Sequence, residues 1–230
     1  EAGHVLTAEG SYTINWTPQG TGVGSVRLDY STDGGSVWTT IGTVTNSGAY
    51  SWNPTPATIT GQGKVRVLDP ANPSTPNPTI NVGTGLFEIR GKLTLVIPSD
   101  GTQLWLVNDQ RYITWIKQGN FAGAGHSLRL LYSANNGSTF PTTVATGVAA
   151  ANGSYLWTIS DTFTTSTQAK IRIEDESAIG IVFDDSNNPF TVKGVLTLTQ
   201  PNPNVAATFY VGDPLTLKWT KNGDMANVNL

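Results

Sequence analysis

Apolar and polar residues alternate with a period of two along most of the chain. Residues 26–30 read Val-Arg-Leu-Asp-Tyr, and residues 64–67 and 170–173 repeat the alternation as Lys-Val-Arg-Val and Lys-Ile-Arg-Ile. This period is typical of β-strands that bury one face. A helical spacing of 3.6 residues extends over no useful length, so the pattern predicts an all-β protein.

Two stretches join one alternating run directly to the next. Residues 87–95 and 190–198 each contain an alternating run, a lone glycine (Gly91 or Gly194) and a second alternating run. We interpret each stretch as the last strand of one β-domain continuing into the first strand of the next. So short a connection is not a flexible tether. We therefore expect Gly91 and Gly194 to be structural residues, and neighbouring domains to pack end to end with limited pivoting.

The chain repeats itself at a period near one hundred residues. Tyr-Thr-Ile-Asn-Trp at 12–16 has counterparts at 111–115 and 215–219, with tryptophans 99 and 104 residues apart. Further landmarks return in the same order, 30–38 at 132–140, 48–52 at 153–157 and 64–69 at 170–175. We expect the equivalent Trp16, Trp115 and Trp219 to be structural residues that pack between two sheets.

These repeats divide the chain into three parts. Residues 1–91 form a first Ig-like repeat whose opening strand is missing or atypical, and residues 92–194 form a second, full repeat. Residues 195–230 form a partial third repeat with its first strands only. About seven short strands per hundred residues, with hairpin signals such as Asp33-Gly34-Gly35, are typical of a two-sheet sandwich. The sequence thus predicts tandem Ig/fibronectin-III-like β-sandwiches arranged end to end.

The phase of the repeats suggests a window cut from a longer tandem array. The third repeat stops at 227–230, in the middle of a predicted strand. An alternative interpretation is that the incomplete end of one chain completes the open end of another. Strand addition of that kind would give a filament.

Composition narrows the classes of function. Of 230 residues, 13% are charged, about half the usual share, and the net charge of −3 predicts neither nucleic acid nor an anionic membrane as partner. The absence of cysteine excludes thiol nucleophiles, disulfides and cysteine-ligated metals. No apolar run reaches 18 residues, so we expect no membrane insertion by this segment.

No catalytic constellation or cofactor motif is found, and three sets of residues could bind a ligand. Carboxylates could converge on calcium through oxygen ligands, as a weak candidate site: Asp175, Glu176, Asp184 and Asp185. Aromatic rings in predicted loops could contact glycans: Phe121 and Phe163. Outward basic residues could contact an acidic glycan or a neighbouring subunit: Arg129, Lys170, Arg172 and Lys193. Solvated side chains are the simpler interpretation of the two charged sets.

A sialidase-like propeller is an alternative fold, because residues 31–38 match an Asp-box hairpin. A propeller repeats that box about every 40–50 residues. Here its counterpart lies 102 residues away and whole-domain landmarks accompany it. The box is therefore interpreted as a turn that stabilises the fold.

Several short motifs resemble a known family. They are Tyr112-Ile113-Thr114-Trp115, Leu128-Arg129-Leu130, the run 152–159 and the segment 186–192. These resemble the Ig-like module of the Kre9/Knh1-type, Ser/Thr-rich cell-surface family, which also occurs in tandem in large microbial surface proteins. The resemblance implies an extracellular wall or surface role without an assigned active site. The first repeat departs from it in the Pro-rich stretch 69–78.

We therefore expect a non-enzymatic structural or adhesive repeat segment of an extracellular cell-surface protein, fibre or surface layer. Its expected partners are neighbouring copies, further repeats of the same protein, or surface glycans. Two alternatives stay open. One is a self-assembling extracellular filament subunit joined by strand addition. The other is a carbohydrate-binding accessory module of a larger secreted enzyme.

Overall fold

The computed structural model describes residues 3–18, 22–53, 55–71, 81–83, 85–122, 126–202, 204–225 and 227–229. Strands dominate these ranges, as the period-two alternation predicts, and the described ranges contain one 3-10 turn, at Ala150–Asn152, and no α-helix. The predicted Pro-rich departure at 69–78 lies mostly outside the described residues.

Nineteen strands are named here in chain order. The first repeat contains β1 (Val5–Thr7), β2 (Tyr12–Asn15), β3 (Ser25–Ser31), β4 (Thr39–Thr45), β5 (Ala49–Trp52), β6 (Thr60–Leu68), β7 (Asn81–Val82) and β8 (Phe87–Arg90). The second contains β9 (Lys92–Ile97), β10 (Leu104–Leu106), β11 (Gln110–Gln118), β12 (Ser127–Ser133), β13 (Thr142–Ala149), β14 (Ser154–Thr158), β15 (Ser166–Asp175), β16 (Phe183–Asp185) and β17 (Phe190–Lys193). The third contains β18 (Val195–Gln200) and β19 (Lys218–Asn222).

The two longer repeats have the same sheet topology. One sheet has the order β1-β8-β6-β3-β4 with β7 on β6, and its counterpart has the order β10-β17-β15-β12-β13 with β16 on β15. In both sheets a short first strand runs parallel to the last. The opposing sheets are β2–β5 and β14-β11-β9. The architecture is all-β, with tandem Ig/fibronectin-III-like sandwiches.

Residues from both sheets form the core of each sandwich. Leu28 and Ile89 of the larger sheet are fully buried in the first repeat, together with Ile14 and Trp52 of the smaller sheet. In the second repeat Trp115 and Trp157 are 4% and 3% exposed. The Trp115 indole N–H donates to the Ala150 carbonyl at 2.9 Å, so the buried polar group is satisfied.

The third repeat does not bury its tryptophan. Among the described residues its strands are β18 and β19, paired antiparallel with Leu198 opposite Trp219. Trp219 is 38% exposed there, whereas the sequence predicts a core residue. The expectation is wrong for this copy because a two-stranded ribbon has no facing sheet to cover the ring.

Contacts divide the chain into two compact units that differ from the sequence repeats. Unit 1 comprises residues 1–93 together with 117–126, and unit 2 comprises 94–116 together with 127–230. The segment 117–126 begins with the last two residues of β11, the tryptophan strand of the second repeat, yet it packs within unit 1. The domain boundaries predicted from the sequence, at residues 91 and 194, assign this segment to the second repeat and therefore miss its packing in unit 1.

One carboxylate in unit 1 is buried between two arginines. Asp29 on β3 is 1% exposed and accepts hydrogen bonds from Arg27 at 3.0 Å and from Arg66 at 2.8 Å. Burial tends to raise the pKa of Asp29, but the bonds from Arg27 and Arg66 outweigh it and lower the pKa below the ordinary 3.8. Arg66 also stacks on Trp38, 4.4 Å from the ring centroid.

We predict that Asp29→Asn destabilises unit 1 by about 2 kcal/mol at pH 7, because two arginines lose a charged acceptor. A carboxyl with a lowered folded pKa stabilises the fold above its unfolded pKa and loses that contribution as pH falls. The deficit of the variant should therefore shrink below about pH 4. Urea unfolding at pH 7 and pH 3, followed on unit 1 amides by NMR, measures both effects.

Glu88→Gln is the matched control, since Glu88 and Arg90 form a pair that is 40% and 36% exposed. Exposed pairs contribute about 0–1 kcal/mol. Equal losses for the two variants would contradict the role assigned to Asp29.

Candidate functional site at the glycine joints

The connection between β8 and β9 is the single residue Gly91. It has no unusual positive φ, so the backbone conformation does not require glycine. Space does. A Cβ placed on Gly91 would lie 2.4 Å from Phe121 Cζ and 2.9 Å from Ile59 Cδ1, far inside van der Waals contact. The ring of Phe121 thus occupies the position of the absent side chain.

The segment that carries Phe121 is fixed within unit 1 by several contacts. The Gly119 N–H donates to Glu9 Oε2 at 2.7 Å, and the Asn120 N–H donates to the Ala57 carbonyl at 2.7 Å. Gly119 has a φ of 99°, and a Cβ there would lie 2.9 Å from Ala8 Cβ. Lys117 closes the loop by donating from Nζ to the Gly119 carbonyl at 3.0 Å. We call Gly91 with Ala8, Ile59, Gly119 and Phe121 the first glycine joint.

The same arrangement recurs within unit 2 at Gly194. A Cβ on Gly194 would lie 2.6 Å from the Asn222 carbonyl oxygen and 2.7 Å from Met225 Cε. Gly223 has a φ of 98° and packs against Gly194, Val107 and Thr165. We call these five residues (Gly194, Val107, Thr165, Gly223 and Met225) the second glycine joint.

Hydrogen bonds repeat between the two joints. The Ala8 N–H donates to the Arg90 carbonyl at 2.8 Å, and the Val107 N–H donates to the Lys193 carbonyl at 2.9 Å. The equivalent lysines both donate to a carbonyl of their own loop, Lys221 Nζ to Met225 at 2.9 Å and Lys117 Nζ to Gly119 at 3.0 Å. Met225 and Phe121 each follow the repeat tryptophan by six residues. The same contact therefore occurs twice in this chain: a glycine at the end of one repeat packs against an apolar side chain from the next.

The two joints differ in how completely they are filled. Phe121 is 4% exposed. Beside Gly194 lies a depression of about 380 Å³, lined by apolar and hydroxyl-bearing residues and by the charged Lys193. In this lining the Ser166 hydroxyl donates to the Ala134 carbonyl at 2.7 Å.

The aromatic contact residues predicted from the sequence are packed instead. Phe121, expected in a ligand-binding loop, is buried against Gly91. Phe163 is half-buried and makes edge contacts with Trp157 and Tyr132, whose ring centroids lie 5.1 and 5.6 Å away. Burial raises the pKa of the Tyr132 hydroxyl to about 12. The burial of Phe121 leaves that ring no free face of the kind that a sugar platform needs.

The four predicted acidic residues have separate partners. Asp175 is 1% exposed and accepts from the Ser177 N–H at 2.9 Å, and Asp184 accepts from the Leu95 N–H at 2.7 Å. Glu176 accepts from Ser127, and Asp185 pairs with Arg172 at 2.6 Å. Within the described part of the chain, no three potential ligands group into a metal site.

Two residues of the predicted basic strip, Arg129 and Arg172, are ion-paired. Arg129 pairs with Glu174 at 2.5 Å, and the bond to Asp185 raises the pKa of Arg172. Arg172 is also sandwiched between two rings, with centroids 4.4 Å away for Phe140 and 4.2 Å for Phe183. Lys170 donates to the Asn187 carbonyl at 3.3 Å. Lys193 is exposed at the end of β17.

Comparison with known proteins gives a likeness of fold. No protein-family profile matches the chain, and no curated protein matches it. Solved structures that align with it include the fibronectin(III)-like modules of Clostridium thermocellum CbhA, at 11% identity and a TM-score of 0.27, covering 83% of this chain and 88% of that one. Extracellular domains 3–5 of Drosophila OTK align at 11% identity and a TM-score of 0.27, covering 96% and 74%. The four N-terminal Ig domains of Dscam1 align at 8% and 0.34, and this chain spans 43% of that structure.

We predict that Phe121→Ala lowers the free energy of unfolding of unit 1 by about 3 kcal/mol, since a buried ring at the joint is removed. The loss should be seen at unit 1 amides in urea titrations followed by NMR. Phe209→Ala, at a ring that is 54% exposed, is the control and should change little. An unchanged unit 1 in Phe121→Ala would contradict the packing described.

We also predict that removing the contacting side chain restores stability to an alanine variant at Gly91 but not to one at Gly194. Gly91→Ala should cost about 1–3 kcal/mol from overpacking, and Phe121→Ala in the same chain should remove that penalty. Gly194→Ala should resist rescue by Met225→Ala, because the backbone carbonyl of Asn222 also blocks the site.

Gly61→Ala is the matched control for both, since a Cβ there meets no atom within 4 Å and its φ is not positive. Thermal unfolding of the set measures the couplings. Additive costs at Gly91 and Phe121 would show that the two residues do not compete for the same space.

Proposed function

We propose that this chain is a non-enzymatic structural segment of an extracellular surface protein, fibre or surface layer, in which successive sandwiches are connected through glycine joints. The observation that carries the proposal is the recurrence of one joint in both units, with the same tight glycine and the equivalent backbone hydrogen bond to the carbonyl of the residue before it. A repeated short connection is what an array that transmits tension or sets a spacing requires.

The chemistry of the described side chains supports a structural role. The acidic candidates accept hydrogen bonds within the sandwich, and Arg129 and Arg172 are ion-paired. The loop of residues 32–38, which joins β3 to β4, is stabilised by side-chain hydrogen bonds: Asp33 Oδ1 accepts the N–H groups of Ser36 and Val37 at 3.0 and 2.9 Å. The Asp-box-like turn is thus a fold-stabilising hairpin.

An extracellular setting agrees with the composition and with the resemblance noted above. The low charge, the absence of cysteine and the Ser/Thr-rich strand faces are compatible with it. None of the described helical segments is both long and apolar enough to cross a membrane. Adhesion to glycans is the narrower form of this proposal, and the buried Phe121 does not support it.

Antibodies raised against residues 1–230 should label the outside of intact cells of the producing organism in immunogold electron microscopy. A cytoplasmic enzyme of the same organism serves as the control and should be labelled after permeabilisation. Labelling of this chain that requires permeabilisation would contradict the proposed location.

Trypsin tests the joints independently of location, because Arg90, Lys92 and Lys193 flank the two glycines. A flexible tether would be cut at these residues, whereas we expect native chain to resist there and to be cut first at exposed loops. Phe121→Ala should speed cleavage at Arg90 and Lys92 at least about tenfold, since local opening is favoured. Cleavage at Lys193 is the internal control. Rapid cutting at Arg90 in the unaltered chain would contradict a mechanical role for the joint.

A further inference from the structure

The sheet β14-β11-β9 of the second repeat has apolar residues on both of its faces. Ile113 and Trp115 on β11 are buried in the core, so the alternate residues of this strand point away from the core. Two of these outward residues are Tyr112 and Ile116, which are 58% and 62% exposed. The sheet therefore carries large apolar side chains on the side that the sandwich does not cover.

The two neighbouring strands extend this second face. Leu156 on β14 lies directly opposite Tyr112 and is 43% exposed. On β9 the core residues are Leu93 and Leu95, so Val96 points outward, and it is 44% exposed. We call the following six outward residues of unit 2 the outer face: Val96, Tyr112, Ile116 and Leu156, with the threonines Thr94 and Thr114.

The first repeat has polar residues at the equivalent positions. Counting from the repeat tryptophans, and from the opposed pairs of the two sheets, matches three residues: Thr13 with Tyr112, Thr17 with Ile116, and Ser51 with Leu156. The same strands thus form with hydroxyl-bearing residues on this side. The apolar residues of the outer face are therefore not required by the fold of the sandwich.

The positions of these residues distinguish them from scattered surface hydrophobics. Directly opposed side chains on paired strands have Cβ atoms about 4.5–5.5 Å apart, so Tyr112 and Leu156 belong to one patch. A sheet that is apolar on both faces is typical of a sheet that is covered on both faces. Contiguous exposed patches of this kind mark interaction sites.

The charge pattern of the outer face indicates the kind of partner. None of its six side chains is charged, so the face has nothing that selects an acidic glycan, a nucleic acid or a charged peptide. A two-fold contact places a patch against the same patch of a second copy, where like charges would repel. An uncharged patch of apolar and hydroxyl-bearing residues packs against itself without such repulsion.

We propose that the outer face binds the outer face of a second copy of this chain, with the two three-stranded sheets stacked about a two-fold axis. Stacked sheets lie about 10 Å apart with their side chains interdigitated, as in the core of a sandwich. The outer face lies along the strands, so the contact joins chains side by side and differs from strand addition. It does not depend on the proposed extracellular location.

The size of the outer face sets the strength of the contact. Three strands spaced about 4.8 Å apart bury less than the standard of about 800 Å² per partner. The dimer is therefore weak, with a dissociation constant on the order of 10–100 μM.

Sedimentation velocity of the full 230-residue chain, from about 1 μM to about 1 mM, measures the dimer. We expect dimers that form with rising concentration and persist in about 1 M sodium chloride, because no ion pair contributes. The triple variant Tyr112→Thr, Ile116→Thr and Leu156→Ser should dimerise at least about tenfold more weakly, since buried apolar area is lost. Its substitutions copy the first repeat, so we expect it to fold. Tyr112→Thr alone is a milder second variant that should weaken the dimer in the same direction.

Ile179→Thr with Ile181→Thr is the matched control. These two side chains are 55% and 56% exposed and lie between β15 and β16, so the change removes apolar area from another surface. The control should leave the dimer unchanged. A chain that stays monomeric at about 1 mM, or a dimer that the control weakens as much as the triple variant, would overturn the proposal.

Isotope-filtered NOESY spectra of mixed labelled and unlabelled chains identify the surfaces in contact. We expect intermolecular cross-peaks between outer-face side chains, among them the Tyr112 ring and the Leu156 methyl groups. Dimers whose intermolecular cross-peaks exclude the outer face would overturn the assigned surface. A chain that stays monomeric while another polypeptide or a polysaccharide binds the outer face would overturn the second copy as its partner.

Discussion

The close approach of Phe121 to Gly91 is the constraint on which the organisation of unit 1 depends. A joint of one residue leaves no length for a tether, so its behaviour depends on what contacts it. Here a buried ring takes the space of a side chain, and Glu9 and Ala57 hold the backbone of the contacting loop through hydrogen bonds of 2.7 Å. Unit 1 is thereby completed by residues 117–126, which come from the following sequence repeat. The first sequence repeat thus depends on residues of the second for part of its packing. The same contacts therefore stabilise the unit and form its connection.

The second joint shows which parts of this design are essential. Phenylalanine is replaced by Met225, an adaptable side chain that can fill an irregular gap. The glycine at the centre and the positive-φ glycine of the loop (Gly119 or Gly223) are kept, as is the lysine that closes the loop. Close backbone approach is therefore the fixed requirement, and the apolar side chain above it can vary. The depression beside Gly194 is consistent with looser filling by methionine.

Much of the fold could be predicted from the sequence, because period-two alternation and repeated landmarks report strand faces and strand order directly. The sequence shows that the connections at the glycine joints are short, but not that an apolar side chain packs against each glycine. Alternation shows which side chains of a strand face the core and which face solvent. The burial of a loop residue such as Phe121 depends instead on which distant segment of the chain it packs against. Asp184 illustrates the same limit: a carboxylate that looks like a loop ligand accepts the Leu95 N–H from across the sandwich. In the sequence, Asp184 cannot be told apart from an aspartate whose carboxylate is exposed to solvent. Trp219 failed as a core prediction since equivalence in sequence does not supply the opposing sheet.

The most direct test of the joint is the distance between Gly91 and Phe121 in solution. In the 230-residue chain, NOESY spectra should show strong cross-peaks from the Gly91 Hα protons to the Phe121 ring, and from the Gly194 Hα protons to the Met225 methyl group. Observing both would establish the repeated contact that this account requires. A Phe121 ring without cross-peaks to Gly91 or Ile59, and with the chemical shifts of a solvent-exposed side chain, would contradict it.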